Sequence, residues 1–230
     1  MAILPRQYEA RISKKHKLTS SVFHLIFEAD RPLDYQPGQY ASLLIGPHRR
    51  PMSFAAPPQG TRGEFLIDVS PGGVASQWAK KIEEGEPLHF LSPYGQFTAN
   101  PADTHSRVFI ATGTGIAPIR SQLLTQTLPL PTILIFGTRV STLRFFDEEF
   151  KAISEKIPTF TFLPVCQVPD SKWAGSVGHV GEIALQHIPH PTQSILYICG
   201  GQLMVQEVRE MLSAQGVPAS NIRTEKFGVL

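Results

Sequence analysis

Up to about Phe97 the apolar residues fall into short runs that alternate with polar ones, at the period of two that a half-buried strand requires. The runs are "QYEARI", "VFHLIFE", "YASLLI", "EFLIDV" and "PLHFL". Between them lie "PLDYQPGQ", "GPHRRP", "PPQGTRG" and "SPGG", whose prolines, glycines and aspartates favour turns. One helix is predicted in this half, from Ser76 to Ile82. Short strands at this spacing predict a small antiparallel barrel or sandwich.

Beyond the polar stretch Thr98–Ser106, which reads as a linker, the pattern changes. The runs "RVFIAT", "TILIFG", "TFTFLPV" and "SILYIC" are apolar on both faces, as strands covered on both sides must be. Helices are predicted over Pro118–Thr127, Phe146–Ile157, Val180–His187 and Leu203–Ala214, followed by a last strand, "IRTEKF". Alternation of this kind predicts a doubly wound parallel sheet. The expected plan is β plus α/β. An antiparallel β-barrel domain spans residues 1–99, and a parallel-sheet α/β domain spans 106–230.

Composition narrows the function classes. Hydrophobic residues are 42% of 230, enough apolar material for two cores. A net charge of +2 is too small to argue for a nucleic-acid partner. The run "KKHK" at Lys14–Lys17 reads either as a solvated strand end or as a docking patch for an acidic partner. Cys166 and Cys199 stand too far apart for an iron–sulfur or zinc spacing, and His187 and His190 lack further ligands, so no metal is expected. No apolar run approaches the length of a membrane span and no apolar leader opens the chain, so the expectation is a cytoplasmic protein.

Three stretches carry candidate chemistry. In "IATGTGIAPIRS", Gly113, Thr114 and Gly115 follow a strand, and Ile116 and Ala117 lead into the helix that Pro118 opens. Glycines let backbone approach a pyrophosphate, and a helix N-terminus favours its charge. A purely structural turn is the other reading of such a junction. Pro118 replaces the third glycine of the usual dinucleotide fingerprint and suits a first helical turn. The next strand ends in "FGTRV", with Arg139 where an acidic residue would grip a ribose 2′-hydroxyl, and Arg144 close behind. In the first half, "HRRPMSFAAP" offers Arg50 as a bidentate donor for a diphosphate and Ser53 as a hydroxyl for a ring nitrogen. Downstream, "SPGGVASQWAKKI" places a second glycine pair at a helix start. Two phosphate cradles suggest two nucleotides.

Taken in order, these stretches resemble the ferredoxin–NAD(P) reductase family over nearly the whole chain. The family's Arg-x-Tyr-Ser flavin motif corresponds to Arg50-Pro51-Met52-Ser53, and its Gly-x-x-Ser loop to Gly73-Val74-Ala75-Ser76. Its barrel-closing Gly-Pro-x-Gly-x-Phe corresponds to Ser92–Phe97. Its nucleotide loop Gly-Thr-Gly-Ile-Ala-Pro is Gly113–Pro118, its Cys-Gly pair is Cys199-Gly200, and its Glu-x-aromatic is Glu225-Lys226-Phe227. Two departures stand out. Met52 replaces the tyrosine that stacks on flavin, which implies weaker flavin binding, and Gly228-Val229-Leu230 follow the aromatic.

The resemblance implies FAD and NADPH or NADH as cofactors. Arg50 and the N–H groups of Val74–Ser76 would hold the FAD pyrophosphate, Ser53 would bond to flavin N5, and main chain around Ile67 and Val69 would meet the pyrimidine edge. Gly113–Ala117 would hold the nicotinamide nucleotide's pyrophosphate, with Cys199 and Gly200 beside the nicotinamide. Phe227 would cover the flavin, and Glu225 would orient Ser53 or relay protons. The implied function is hydride transfer from NAD(P)H to flavin, with electrons leaving for a separate acceptor such as ferredoxin or an oxygenase component. Two alternatives stand beside it: a reductase that releases reduced flavin, and a nucleotide-binding module without turnover.

Overall fold

The computed structural model describes residues 4–100, 103–125 and 128–227, with Phe227 described by its backbone alone. Pro101 and Ala102 of the expected linker, Gln126 and Thr127 of an expected helix, and Gly228–Leu230 lie outside the described residues. The chain divides into two units, Met1–Ala99 with Ala117–Thr125, and Asn100–Ile116 with Gln126–Leu230.

Alternating side chains build the first unit's sheet. Its strands are β1 (Arg6–Lys17), β2 (Val22–Ala29), β3 (Tyr40–Ile45), β4 (His48–Ser53), β5 (Arg62–Asp68) and β6 (Pro87–Tyr94). They are antiparallel, in the order β4-β3-β6-β1-β2-β5. The sheet curls until its edges meet. Phe54, just past β4, bridges Phe65 of β5, and the Ala55 N–H donates to the Glu64 carbonyl at 2.8 Å. A barrel, rather than a sandwich, is the result. Phe27, Phe54, Phe65 and Phe90 fill its centre with no exposed surface. Phe27 and Phe65 stack at 4.8 Å, and Phe65 meets Phe90 edge-on at 88°. Such pairs add about 0.5–1.5 kcal/mol each beyond the area they bury. Helix α1 (Val74–Lys81) contributes Ala79 to the same core.

Strand β4 differs from the sequence expectation, which put turn residues across "GPHRRP". The turn is only Gly46-Pro47, with Gly46 at φ 54°, and His48–Ser53 pairs with β3 from Ile45↔His48 to Tyr40↔Ser53. Arginines and a proline are tolerated because β4 is the outermost strand of its sheet order. The family-like motif Arg50–Ser53 therefore lies on a strand.

The second unit is a parallel sheet of β7 (Arg107–Thr112), β8 (Thr132–Val140), β9 (Phe160–Val168), β10 (Ser176–Val177), β11 (Ile195–Gly201) and β12 (Ile222–Phe227), in the order β10-β9-β8-β7-β11-β12. Helices α2 (Ile116–Leu123), α3 (Asp147–Lys156), α4 (Val180–His187) and α5 (Gln202–Ala214) alternate with these strands along the chain. Val108, Ile110, Ile135, Leu196 and Ile198 of the sheet share a core with Val205, Val208 and Leu212 of α5. Helix α2 begins two residues earlier than predicted and ends at Leu123, short of the expected Thr127. The two-residue β10 is too brief for sequence periodicity to reveal. Asp103, in the stretch read as linker, accepts from the Tyr197 hydroxyl at 3.4 Å and pairs with Arg223 at 3.6 Å, which fastens that segment to the parallel sheet. The strand order reverses at β7, with β8 on one side and β11 on the other. Open sheets of this kind bind ligands beyond the carboxyl ends of the strands at such a switch point.

Candidate functional site

At that switch point β7 runs into the turn Gly113–Gly115 and then α2. Gly113 takes φ 53°, and no atom lies within 4 Å of where its Cβ would stand. Gly115 is the opposite case. A Cβ there would lie 2.3 Å from the Cys199 carbonyl oxygen and 2.7 Å from the Gly200 Cα, so the turn presses directly on the end of β11. No side chain caps the turn, and neither it nor α2 has an acidic residue in its first turn. The partial positive charge of the junction is thus available to an anion.

Cys199 stands in register between Ala111 of β7 and Glu225 of β12. It is fully buried, and burial first, then the charge of Glu225, pushes its thiol well above the ordinary value. The Cys199 thiol is therefore held in its protonated form at neutral pH. Gly200 has no room for a side chain, since a Cβ would meet Thr112 Oγ1 at 2.4 Å. Lys226 and Phe227 pair with Gly200 and Gly201. The expected role of the Phe227 ring lies outside the described residues.

The two arginines after the second parallel strand separate. Arg139, near the end of β8, is exposed. Arg144 has every guanidinium nitrogen engaged: Nε and Nη2 donate to Asp147, and Nη1 donates to the carbonyls of Val165 at 2.9 Å and Phe136 at 3.2 Å. Its guanidinium also lies 5.0 Å from the Trp173 ring centre. The sequence reading gave both arginines to the coenzyme; the structure commits Arg144 to holding the α3 start.

In the barrel unit, Arg50 is half-buried and spends one donor on the neighbouring Arg49 carbonyl, at 2.8 Å. Pro51 is exposed, and Met52 packs against the barrel core. Ser53 is buried and lies across the strand pair from Tyr40, which stacks on Tyr94 at 5.6 Å. Ile67 and Val69 turn their side chains into the core, and the Val69 N–H is taken by the Ser21 carbonyl at 2.8 Å. Helix α1 starts after Gly72 (φ 72°) and Gly73, and at neither does an atom lie within 4 Å of where a Cβ would stand. Ser76 does not cap it, because its hydroxyl donates to the Asp68 carbonyl at 3.3 Å. The first helical bond runs from Gln77 N–H to the Gly73 carbonyl, so the N–H groups of Val74, Ala75 and Ser76 have no helical acceptor. An uncapped helix start with open space before it and no acidic residue fits a diphosphate. Both helix starts are thus uncapped and free of acidic residues in the first turn, a setting that favours an anion.

One buried group escaped the sequence reading. Glu64 of β5, 6% exposed, receives Arg120 Nη1 and lies against His24 Nε2, each at 2.9 Å, and Arg62 Nη2 donates to its other oxygen at 2.9 Å. Burial alone would raise this carboxyl, but the His24 hydrogen bond, the Arg120 charge and the Arg62 hydrogen bond outweigh it and hold the pKa at about 2. The only signal in the sequence was one acid inside an apolar strand.

Residues 109–210 match the family model of the oxidoreductase NAD-binding domain. Across 96% of its length the chain is 27% identical to ferredoxin–NADP reductase B of Sorangium cellulosum, covering 97% of that protein. The chain is also 29% identical over 98% of its length to the xylene/toluene monooxygenase electron transfer component XylA of Pseudomonas putida, of which it covers 67%. Of some other relatives it spans only about half to two thirds of the length. Among solved structures, the ferredoxin NADP+ reductase from Neisseria gonorrhoeae with bound FAD and NADP superposes with a TM-score of 0.82 at 20% identity, over 98% of this chain and 99% of that one. The chain thereby shares the two-part fold of that structure, and the match to an oxidoreductase NAD-binding domain makes it an oxidoreductase. No helix among its described residues is long and apolar enough to cross a membrane, and no group of metal-binding side chains occurs among them.

Proposed function

We propose that this chain is a member of the ferredoxin–NAD(P) reductase family, an FAD-dependent NAD(P)H oxidoreductase that passes electrons to a separate acceptor, such as ferredoxin or an oxygenase component. The observation that carries this is the pair of open, uncapped helix starts behind glycine turns, one at Gly72-Gly73 and one at Gly113–Gly115. Residues 1–99 are assigned to FAD and 106–230 to the nicotinamide nucleotide, the latter supported by the match over residues 109–210. Bound FAD supplies hydride acceptance at N5 and release of electrons singly; the protein supplies binding and orientation. Arg50 and the free N–H groups of α1 would neutralise the FAD pyrophosphate, and Ser53 would hydrogen-bond N5. Gly113–Ala117 would hold the coenzyme pyrophosphate. Gly200, packed against Thr112 with no room for a side chain, would present only backbone to the nicotinamide, and the neutral Cys199 would add no charge there. A cytoplasmic location is part of the proposal, supported by two buried cysteines that are both free thiols.

Ser53 gives the direct test of this placement. Ser53→Ala should retain FAD and fold, yet slow anaerobic flavin reduction by roughly 10-fold or more, because a hydrogen bond that strengthens as N5 changes bonding acts on the transition state. Stopped-flow reduction at the wild-type rate would remove Ser53 from the mechanism.

Coenzyme choice rests on Arg139. With Arg144 held by Asp147, Arg139 is the exposed cation at the end of β8 and would take a 2′-phosphate. We therefore assign NADPH as the preferred coenzyme. Arg139→Ala should lower kcat/KM for NADPH about 10-fold and leave NADH nearly unchanged, the size of one charge-assisted contact. An equal loss with both coenzymes, or a wild type that prefers NADH, would refute the assignment.

A further inference from the structure

Three consecutive polar residues of α2 are buried, and all three reach into the barrel unit to which that part of the helix belongs. Arg120 Nη1 donates to the Ala55 carbonyl at 2.7 Å as well as to Glu64. The Ser121 hydroxyl donates to the Ala56 carbonyl at 2.7 Å, an oxygen that also receives the Tyr35 hydroxyl at 2.7 Å. Gln122 Nε2 donates to the Phe97 carbonyl at 2.8 Å. The segment Ser53–Ala56 is thus gripped by α2 directly after the residue assigned to flavin N5. The same helix begins with Ile116, Ala117 and Pro118, the last residues of the nucleotide loop.

A buried ion pair is a poor device for stability alone, since several kcal/mol of desolvation offset its attraction. What it does supply is direction. A carboxylate fixed by His24 and Arg62 allows Arg120 few orientations, and a guanidinium shared between that carboxylate and a backbone carbonyl fixes the rotation and height of the helix. Placement errors of about 1 Å, even from changes remote from the chemistry, can cost on the order of 100-fold in rate.

We infer that Glu64 and Arg120 form a positioning clamp that holds α2, from Ala117 onward, against the Ser53–Ala56 segment, and so sets the direction of the N5 hydroxyl by one buried contact. Neither residue touches a cofactor in this assignment. Each acts through what it holds. The inference rests on the function proposed above.

The test uses the FAD-loaded protein and three variants, Glu64→Gln, Arg120→Met and Arg120→Lys. Oxidised protein is titrated with NADP+, and in parallel with NAD+, by calorimetry, alongside FAD content, thermal midpoint and stopped-flow reduction. Glu64→Gln and Arg120→Met should keep FAD and nucleotide affinity and slow reduction by roughly 10-fold to 100-fold. Arg120→Lys, which keeps the charge and can reach one of the two acceptors, should recover part of the lost rate. Variants that lose only thermal stability, or only FAD, while the reduction rate matches wild type would overturn the clamp and leave the function standing. A wild type that binds neither NADP+ nor NAD+ would overturn the functional reading and the clamp with it.

Discussion

Gly115→Ala should weaken coenzyme binding at least about 10-fold while FAD stays in place. The methyl group would stand 2.3 Å from the Cys199 carbonyl oxygen, 2.5 Å from its carbon and 2.7 Å from the Gly200 Cα. All three are backbone atoms of β11, which is paired on both sides, with β7 and with β12. They cannot rotate away as a side chain would. The turn itself must lift, carrying with it the N–H groups that would meet the pyrophosphate. Overpacking of this kind costs about 1–3 kcal/mol in stability, and a displaced cradle loses more than that in binding. The expectation is a rise of at least about 10-fold in the Kd for NADP+, read by calorimetry, with flavin content at wild-type level. Gly113→Ala provides the comparison. Its Cβ meets nothing, so the change carries only the strain of a left-handed φ, about 1–2 kcal/mol. Nucleotide affinity at wild-type level in Gly115→Ala would show that Gly113–Gly115 is a structural turn and not a cradle.

Arg50→Ala should do the reverse, stripping flavin while sparing the fold. The Arg50 side chain holds only the neighbouring Arg49 carbonyl by a hydrogen bond on the exposed surface, a contact worth little to stability. Against a diphosphate the same guanidinium makes charge-assisted contacts worth about 1.5–3 kcal/mol, or roughly 10-fold to 150-fold in FAD affinity. Met52 heightens the effect. It packs into the barrel core and presents no aromatic ring, so a larger share of flavin affinity falls to the phosphate contacts. FAD per chain after gel filtration, together with the thermal midpoint, separates the two outcomes. Full flavin retention would take Arg50 out of the site.

What could be read from the sequence was what is local. Strands β7, β8, β9 and β11 were legible because their runs are apolar on both faces, and the Gly113–Pro118 junction because a strand, two glycines and a helix start lie within a dozen residues. The six short motifs are likewise contiguous. Strand β4 was read as a turn because its arginines and proline are an edge strand's privilege, and edge position is set by partners that the local pattern does not name. The Glu64–Arg120 pair was not legible at all. Its members are 56 residues apart, and on a helix "RSQ" reads as a solvated face until the structure shows all three buried. The partners of Arg144 were hidden in the same way, since Asp147 one turn later and the carbonyls of Phe136 and Val165 are brought to its guanidinium only by the fold.

The central claim is that one chain carries flavin and accepts hydride on it from a nicotinamide coenzyme. Anaerobic addition of NADPH to the purified protein, followed by its visible spectrum and by release and identification of the bound flavin, tests this most directly. The expected result is a yellow protein containing FAD whose flavin absorbance bleaches within the mixing experiment, and returns when a one-electron acceptor such as ferricyanide or a ferredoxin is added. A colourless protein that oxidises NADPH only when free flavin is supplied would make it a reductase that releases reduced flavin. A protein that binds the nucleotides but bleaches with neither NADPH nor NADH would contradict the account outright.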